Sequence, residues 1–290
     1  MTRQDIARIA LRSSIEARRK ANASLADPIC IYDFVEKLGV EARFVGGASF
    51  AGMSAKGFDV VFVPAERPAG RRAFTCAHEL AHWWFGHGVR VEHLDFDRED
   101  CVIPEEMLAN QFAAFLLMPN RAIKAVFERR GYRPQTATAL EIYAIACQFG
   151  VGYGTLVKHL HWSQNLISRV QMQELQRISP KEIRHELLGL TAPGHLVFAD
   201  HRWTNVAIDL EVGDHALLPQ SVQLVGASAR IVGSCARGAI VQAVRPGITQ
   251  AIGDQDWAHM IRVSRKMFVG RGAFRHLEDE DEDNDSASHH

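Results

Sequence analysis

The sequence predicts an α+β protein, on three observations. Helical patterns with apolar faces fill most of the first two thirds of the chain. Short β-branched runs separated by glycine interrupt them between residues 40 and 63. After Thr191 the chain changes to alternating or β-branched runs bounded by Gly and Pro (HLVFAD, NVAIDL, VQLVG, ARIVG, AIVQAV), which predict a small C-terminal α/β or mostly β unit.

The first helix is expected over 4–22. Ile6, Ile9, Ala10, Ser13 and Ala17 trace an apolar or small face, and Arg8, Arg12, Arg18, Arg19 and Lys20 lie largely off it, as on a solvated side. A short helix follows Asp27-Pro28 and is stopped by Gly39. The runs at Val40–Val45 and Phe58–Val63 predict a small antiparallel sheet. From Arg71 to Phe85 the chain is helical and apolar nearly all round, which marks a buried helix. Pro104 opens another helix that runs to Pro119, and a further one spans Arg121–Arg130. Residues 139–162 predict two helices with a sharp turn at Gly150.

At about 150 residues per domain, 290 residues suggest two domains. The divisions expected are 1–130, a helical domain with a small sheet; 131–190, a helical segment; 191–276, the C-terminal unit; and 277–290, a disordered acidic tail. The tail Glu278–Asp285 holds seven acids and no base, so the body without it is mildly basic, whereas the whole chain carries a net charge of -1. That is too weak a basic excess to indicate nucleic-acid binding by charge alone. No secretion signal and no membrane-length apolar segment is visible, and five scattered cysteines without CxxC spacing point to a reducing cytoplasm.

The sharpest signal is His78-Glu79-Leu80-Ala81-His82, an HExxH pattern inside the apolar helix. Residues four apart lie one turn apart on one face, so both imidazoles can reach one Zn²⁺. Glu79 flanks that face and is placed to act as the general base toward a water activated by the metal. Polar groups on a buried helix need partners, which favours this reading over a chance match. A catalytic zinc needs a third protein ligand. His87 would project 140° off the ligand face if the helix continued. Glu106 is the better candidate, with Asn110 one turn on to orient a ligand and with Ala109 and Ala113 permitting close helix approach. Glu105, Asp97, His93 and Cys101 remain rivals. Cys76 reads as a buried small hydrophobe.

FTCAHELAHWWFGH, followed by E-x-x-A-N-x-F-A-A-x-L-L-M-P from Glu106 to Pro119 and preceded by PAGRRAF, resembles the ImmA/IrrE family of zinc-dependent regulatory peptidases. The resemblance implies a zincin-like, mostly helical peptidase domain with His78, His82 and Glu106 as metal ligands and Glu79 as catalytic base. It also implies cleavage of a helix-turn-helix repressor as protein substrate, with derepression of stress or mobile-element genes. Its longer members add a helix-turn-helix segment and a GAF-like C-terminal domain. An extended substrate is expected beside a strand near the active-site helix, such as Val60–Val63. The alternative is a DNA-binding or ligand-sensing transcriptional regulator with a structural or degenerate zinc site.

Residues 142–161 resemble a helix-turn-helix, with Ile145, Phe149, Val151 and Leu156 at packed positions and Gly150 at the turn. Its second helix is expected to offer Tyr153, Thr155 and Lys158 outward. One lysine is little for base reading, so a structural or protein-docking role is favoured over DNA binding there.

Overall fold

The structure is a computed structural model. It describes residues 2–47, 50–55, 57–88, 90–93, 103–189 and 194–277. Asp97, Cys101 and the acidic tail lie outside the described residues, as does the side chain of His93.

The helical part opens with α1 (Arg3–Lys20), which carries a capping box between Thr2 and Asp5. Then come α2 (Ile31–Lys37), β1 (Glu41–Val45), β2 (Phe50–Ala55), β3 (Val60–Pro64), α3 (Ala69–Phe85) and β4 (Arg90–His93). Helices α4 (Pro104–Leu117), α5 (Asn120–Arg130), α6 (Ala139–Phe149), α7 (Tyr153–Trp162), α8 (Arg169–Arg177) and α9 (Pro180–Leu188) follow. None is long and apolar enough by itself to cross a membrane. The chain ends in strands β5 (Leu196–Phe198), β6 (Ile208–Glu211), β7 (His215–Leu218), β8 (Gln223–Val225), β9 (Ala229–Cys235), β10 (Gly238–Ala243), β11 (Gly247–Ile252), β12 (Ala258–Ser264) and β13 (Gly270–Arg271).

The first sheet has the order β13-β1-β3-β2-β4. It is mixed rather than antiparallel, because β1 and β3 run parallel with Glu41 opposite Val60. The connection through β2 supplies the crossover that a parallel pair needs. Strand β3 is paired on both sides, so Val60–Val63 is an interior strand with no free edge for a substrate. In this order β4 is an edge strand on the β2 side.

Helices α3 and α4 pack together over small residues, with Ala77, Ala81, Ala109 and Ala113 fully buried. Helix α1 packs on the same α4. Its Arg18 is fully buried and not solvated as the sequence suggested. The Arg18 guanidinium donates to the Leu116 carbonyl from Nε (2.9 Å) and Nη2 (2.7 Å) and to the Asp27 carbonyl (2.9 Å). It thereby satisfies the Leu116 carbonyl, in the last turn of α4, where the helix leaves its carbonyls open.

Helices α6 and α7 bend by 100° at Gly150, which has φ 64° and closes α6 in the left-handed conformation. Ile145, Phe149, Val151 and Leu156 are buried as expected. Tyr153 is not outward: it is buried, and its hydroxyl donates to the Leu175 carbonyl at 2.8 Å. His159 also packs inward, 2.9 Å from the Met118 carbonyl.

The C-terminal region is a β unit. Sheets β5-β7-β10-β9 and β6-β12-β11-β8 share a core that includes Trp203, Leu210, Val241, Trp257 and Ile261. Among the described residues from 194 onward no α-helix occurs, so the α component expected of an α/β or GAF-like unit is absent there. The strands alternate inward and outward; in β11, Thr249 and Ala251 are buried while Ile248 and Ile252 are exposed. The chain then returns to the first sheet, where β13 pairs with β1.

Candidate metal centre

Helix α3 starts after Pro68 and ends on Gly86, whose φ of 71° provides a left-handed cap. Within it, His78, Glu79 and His82 are buried. Helix α4 brings Glu106 to the same place from its first turn, directly after Pro104. The Nε2 atoms of His78 and His82 lie 3.0 Å apart, and Glu106 Oε2 lies 3.2 and 3.3 Å from them. Ligands about 2.0–2.1 Å from a tetrahedral ion stand roughly 3.3 Å apart. The triangle therefore fits a single metal ion, and the residue types fit zinc.

The other nitrogen of each imidazole is also engaged. His78 Nδ1 lies 3.0 Å from Asn110 Oδ1, and because that oxygen only accepts, Nδ1 carries the proton. This leaves the Nε2 lone pair directed at the metal position. His82 Nδ1 lies 2.9 Å from His87 Nδ1. His87 thus stands behind His82, and it stacks on Phe85 with ring centroids 5.6 Å apart. Helix geometry set His87 aside as a third ligand; the helix stops at Gly86, and the turn there returns His87 to His82.

Glu79 is buried on the same helix turn, with Gly52 of β2 against its carboxylate. A Cβ at position 52 would collide with Glu79 Oε1. Glycine is thus required there for close backbone approach, not for an unusual φ. Glu105 is half-buried beside Glu106 and does not join the triangle. Cys76 is fully buried, and burial pushes its thiol well above the usual range.

A helix-borne HExxH and a buried glutamate from a neighbouring helix thus form a His/His/Glu group that could hold a metal. Residues 35–161 match the family model described as Peptidase_M78, the IrrE N-terminal-like domain. A comparison with curated proteins found no match. Among solved structures, a Mycobacterium tuberculosis transcriptional regulator aligns with 18% identity and a TM-score of 0.36. The alignment covers 54% of this chain and 46% of that one, so the chain spans about half of that protein's length.

Proposed function

We propose that the protein is a cytoplasmic zinc-dependent endopeptidase of zincin-like design, with a regulatory role. Its substrate on this reading is one or a few proteins, foremost a helix-turn-helix repressor whose cleavage releases stress or mobile-element genes. The observation that carries the reading is the triangle of His78, His82 and Glu106 with the carboxylate of Glu79 one residue along the same helix.

Zinc, when bound, supplies Lewis acidity toward a peptide carbonyl and toward the attacking water. The chain's own residues do the rest. His78, His82 and Glu106 hold the ion, and Asn110 and His87 fix the two imidazoles through their Nδ1 atoms. Glu79 takes a proton from the attacking water and delivers it to the nitrogen of the leaving amine. The backbone at Gly52 keeps that carboxylate in one place. We further propose that the chain divides as 1–130, 131–190, 191–276 and 277–290. In that division the bent pair α6–α7 acts in protein docking, because Lys158 is exposed while Tyr153 and His159 are buried.

Glu79→Gln should retain stoichiometric zinc and lose cleavage of a repressor encoded beside the gene by on the order of 10²–10⁴-fold. Loss of the metal from that variant would make Glu79 a ligand and overturn its assigned role. Tight, salt-sensitive binding of a specific duplex by the intact protein, without cleavage of any repressor, would favour a DNA-binding regulator.

A further inference from the structure

The seam between the helical part and the β unit is polar. Arg130 forks onto Asp200 at 2.8 and 2.9 Å, Arg72 pairs with Glu211, and Arg262 and Arg275 bridge Asp33 and Asp209. These ties surround a cavity of about 820 Å³ that runs from the face of His78 and Glu106 along the first two turns of α3 into the seam. That volume is in the range of small-molecule sites, roughly 300–1,000 Å³.

The seam end has a distinct chemistry. Asp209 and Glu211 are matched by the arginines just named, and Asp214 accepts the backbone N–H groups of His195 (3.2 Å) and Glu211 (3.0 Å). Arg67 and Arg184 also line the cavity, and neither forms an ion pair among the described residues. Arg72 and Gln148 are more than nine-tenths buried, yet Arg72 Nε and Gln148 Oε1 have no hydrogen-bond partner among the described residues. Buried polar atoms left without a partner cost about 1–3 kcal/mol each, so such atoms on a cavity wall point to a ligand. Burial, with Arg184 and Arg72 nearby, pushes His195 down to about 4, consistent with a positive local field. Phe149, Trp203 and Leu210 supply apolar wall.

We infer that the seam end of this cavity binds a small organic anion, an acid group on an apolar or aromatic body, at a site apart from the metal ligands. The acid group would meet Arg184 and Arg72, and the body would lie against Trp203 and Phe149. One wall belongs to the helix that carries His78 and His82 and the other to the β unit. Occupancy therefore clamps the two together and couples the β unit to the metal centre. The inference does not depend on peptidase activity.

The test uses the full chain stripped of metal and two fluorescent probes of similar shape, anilinonaphthalene sulfonate and the uncharged N-phenylnaphthylamine. The expected result is one saturable site that prefers the sulfonate. Ala207→Trp, which fills the cavity from a loop position, should weaken both probes at least about tenfold. Arg184→Gln should weaken the sulfonate about tenfold and leave the uncharged probe unchanged. Circular dichroism confirms folding, and Val206→Phe replaces the first variant if it does not fold. Unsaturable binding, or affinities indifferent to cavity filling, would place the probes on the exposed face bearing Ile248 and Ile252 and overturn the inference. So would an Arg184→Gln effect that is equal for both probes.

Discussion

The metal centre and the seam are both buried polar clusters, and they are built in opposite ways. At the metal centre two imidazole nitrogens and a carboxylate oxygen converge within 3.3 Å, from two helices that pack over alanines. At the seam, carboxylates meet guanidinium groups: Arg262 takes Asp209 at 2.5 and 2.7 Å and Asp33 at 2.6 Å, and Arg275 takes Asp33 at 3.0 Å. These paired groups neutralise one another within the chain and fix how two regions meet. The metal centre gathers the donor set of a divalent ion around one point. Convergence of ligand atoms, more than burial or polarity, separates a binding centre from a structural lock.

The largest expected effect tests that distinction at the centre. Glu106→Ala should lose most of its zinc, since removing one of three protein ligands opens the triangle, whereas Glu105→Ala should keep it. Metal content of the two purified proteins decides. Equal zinc in both would mean that convergence in the fold does not identify the ligand.

At the seam the expected effect is on stability. Arg262→Ala leaves Arg275 as the one arginine on Asp209, with His276 3.7 Å away, and removes the 2.6 Å contact to Asp33. These groups are partly exposed, which reduces the cost of a broken buried pair to about 1–3 kcal/mol. Burial pushes the Asp209 carboxyl up, but Arg275 and Arg262 outweigh it and hold it at about 2. A carboxyl lowered on folding contributes stability that is complete above its ordinary value near 3.8 and lost as pH falls toward 2. Urea midpoints at neutral pH and at about pH 3 should show the variant both weaker and less acid-sensitive than the parent. A parallel acid limb in the two proteins would remove Asp209 from the account.

The two clusters also differ in how far the sequence reveals them. His78, Glu79 and His82 fall in one helical turn, and Glu106 and Asn110 share a face of the helix after Pro104. Their periodicity states the geometry before any fold is known. The seam joins residues far apart in the chain, 70 positions for Arg130 with Asp200 and 245 for Cys30 with Arg275, and no local period encodes such pairs. The same limit explains the misread Arg18: a helical wheel shows which side is apolar, not that a carbonyl at Leu116 waits beneath an arginine. It explains the sheet as well. Short β-branched runs predicted strands at β1 and β3 but not their parallel pairing or the return of β13, which is set by the path of the chain. In the β unit, outward Ile248 and Ile252 blurred the alternation, and β7, β11 and β12 went unnoticed as separate strands.

A smaller effect probes the second-strand wall of the centre. Gly52→Ala puts a methyl group against the Glu79 carboxylate while leaving all three ligand residues in place. Zinc content should be unchanged and cleavage should fall about tenfold, near 1.4 kcal/mol of barrier. Full activity in this variant would show that Glu79 tolerates displacement and that β2 does not position it.

The smallest effect sets a buried histidine outside the metal centre, whose Nε2 lies 2.9 Å from both the Met118 carbonyl and the Gln164 side-chain nitrogen, beside the two that converge. His159 is 4% exposed, with its Nε2 2.9 Å from the Met118 carbonyl. Burial pushes it down to about 4, and the carbonyl only partly offsets this. A histidine lowered on folding is held neutral, so its contribution is complete above its ordinary value of 6.5 and is lost as pH falls toward 4. That loss is on the order of 1–3 kcal/mol for a shift of this size. His159→Gln retains an N–H that can donate to Met118 but cannot acquire a proton. The variant should therefore melt slightly below the parent at neutral pH and approach or overtake it near pH 4.5. His195, also held near 4, loses its share of stability over the same interval in both proteins and so leaves the difference between them unchanged. Melting temperatures across that interval are the measurement. Curves that stay parallel would mean His159 is already protonated in the folded protein, and its position beneath α4 would then have to be held by charge rather than by packing.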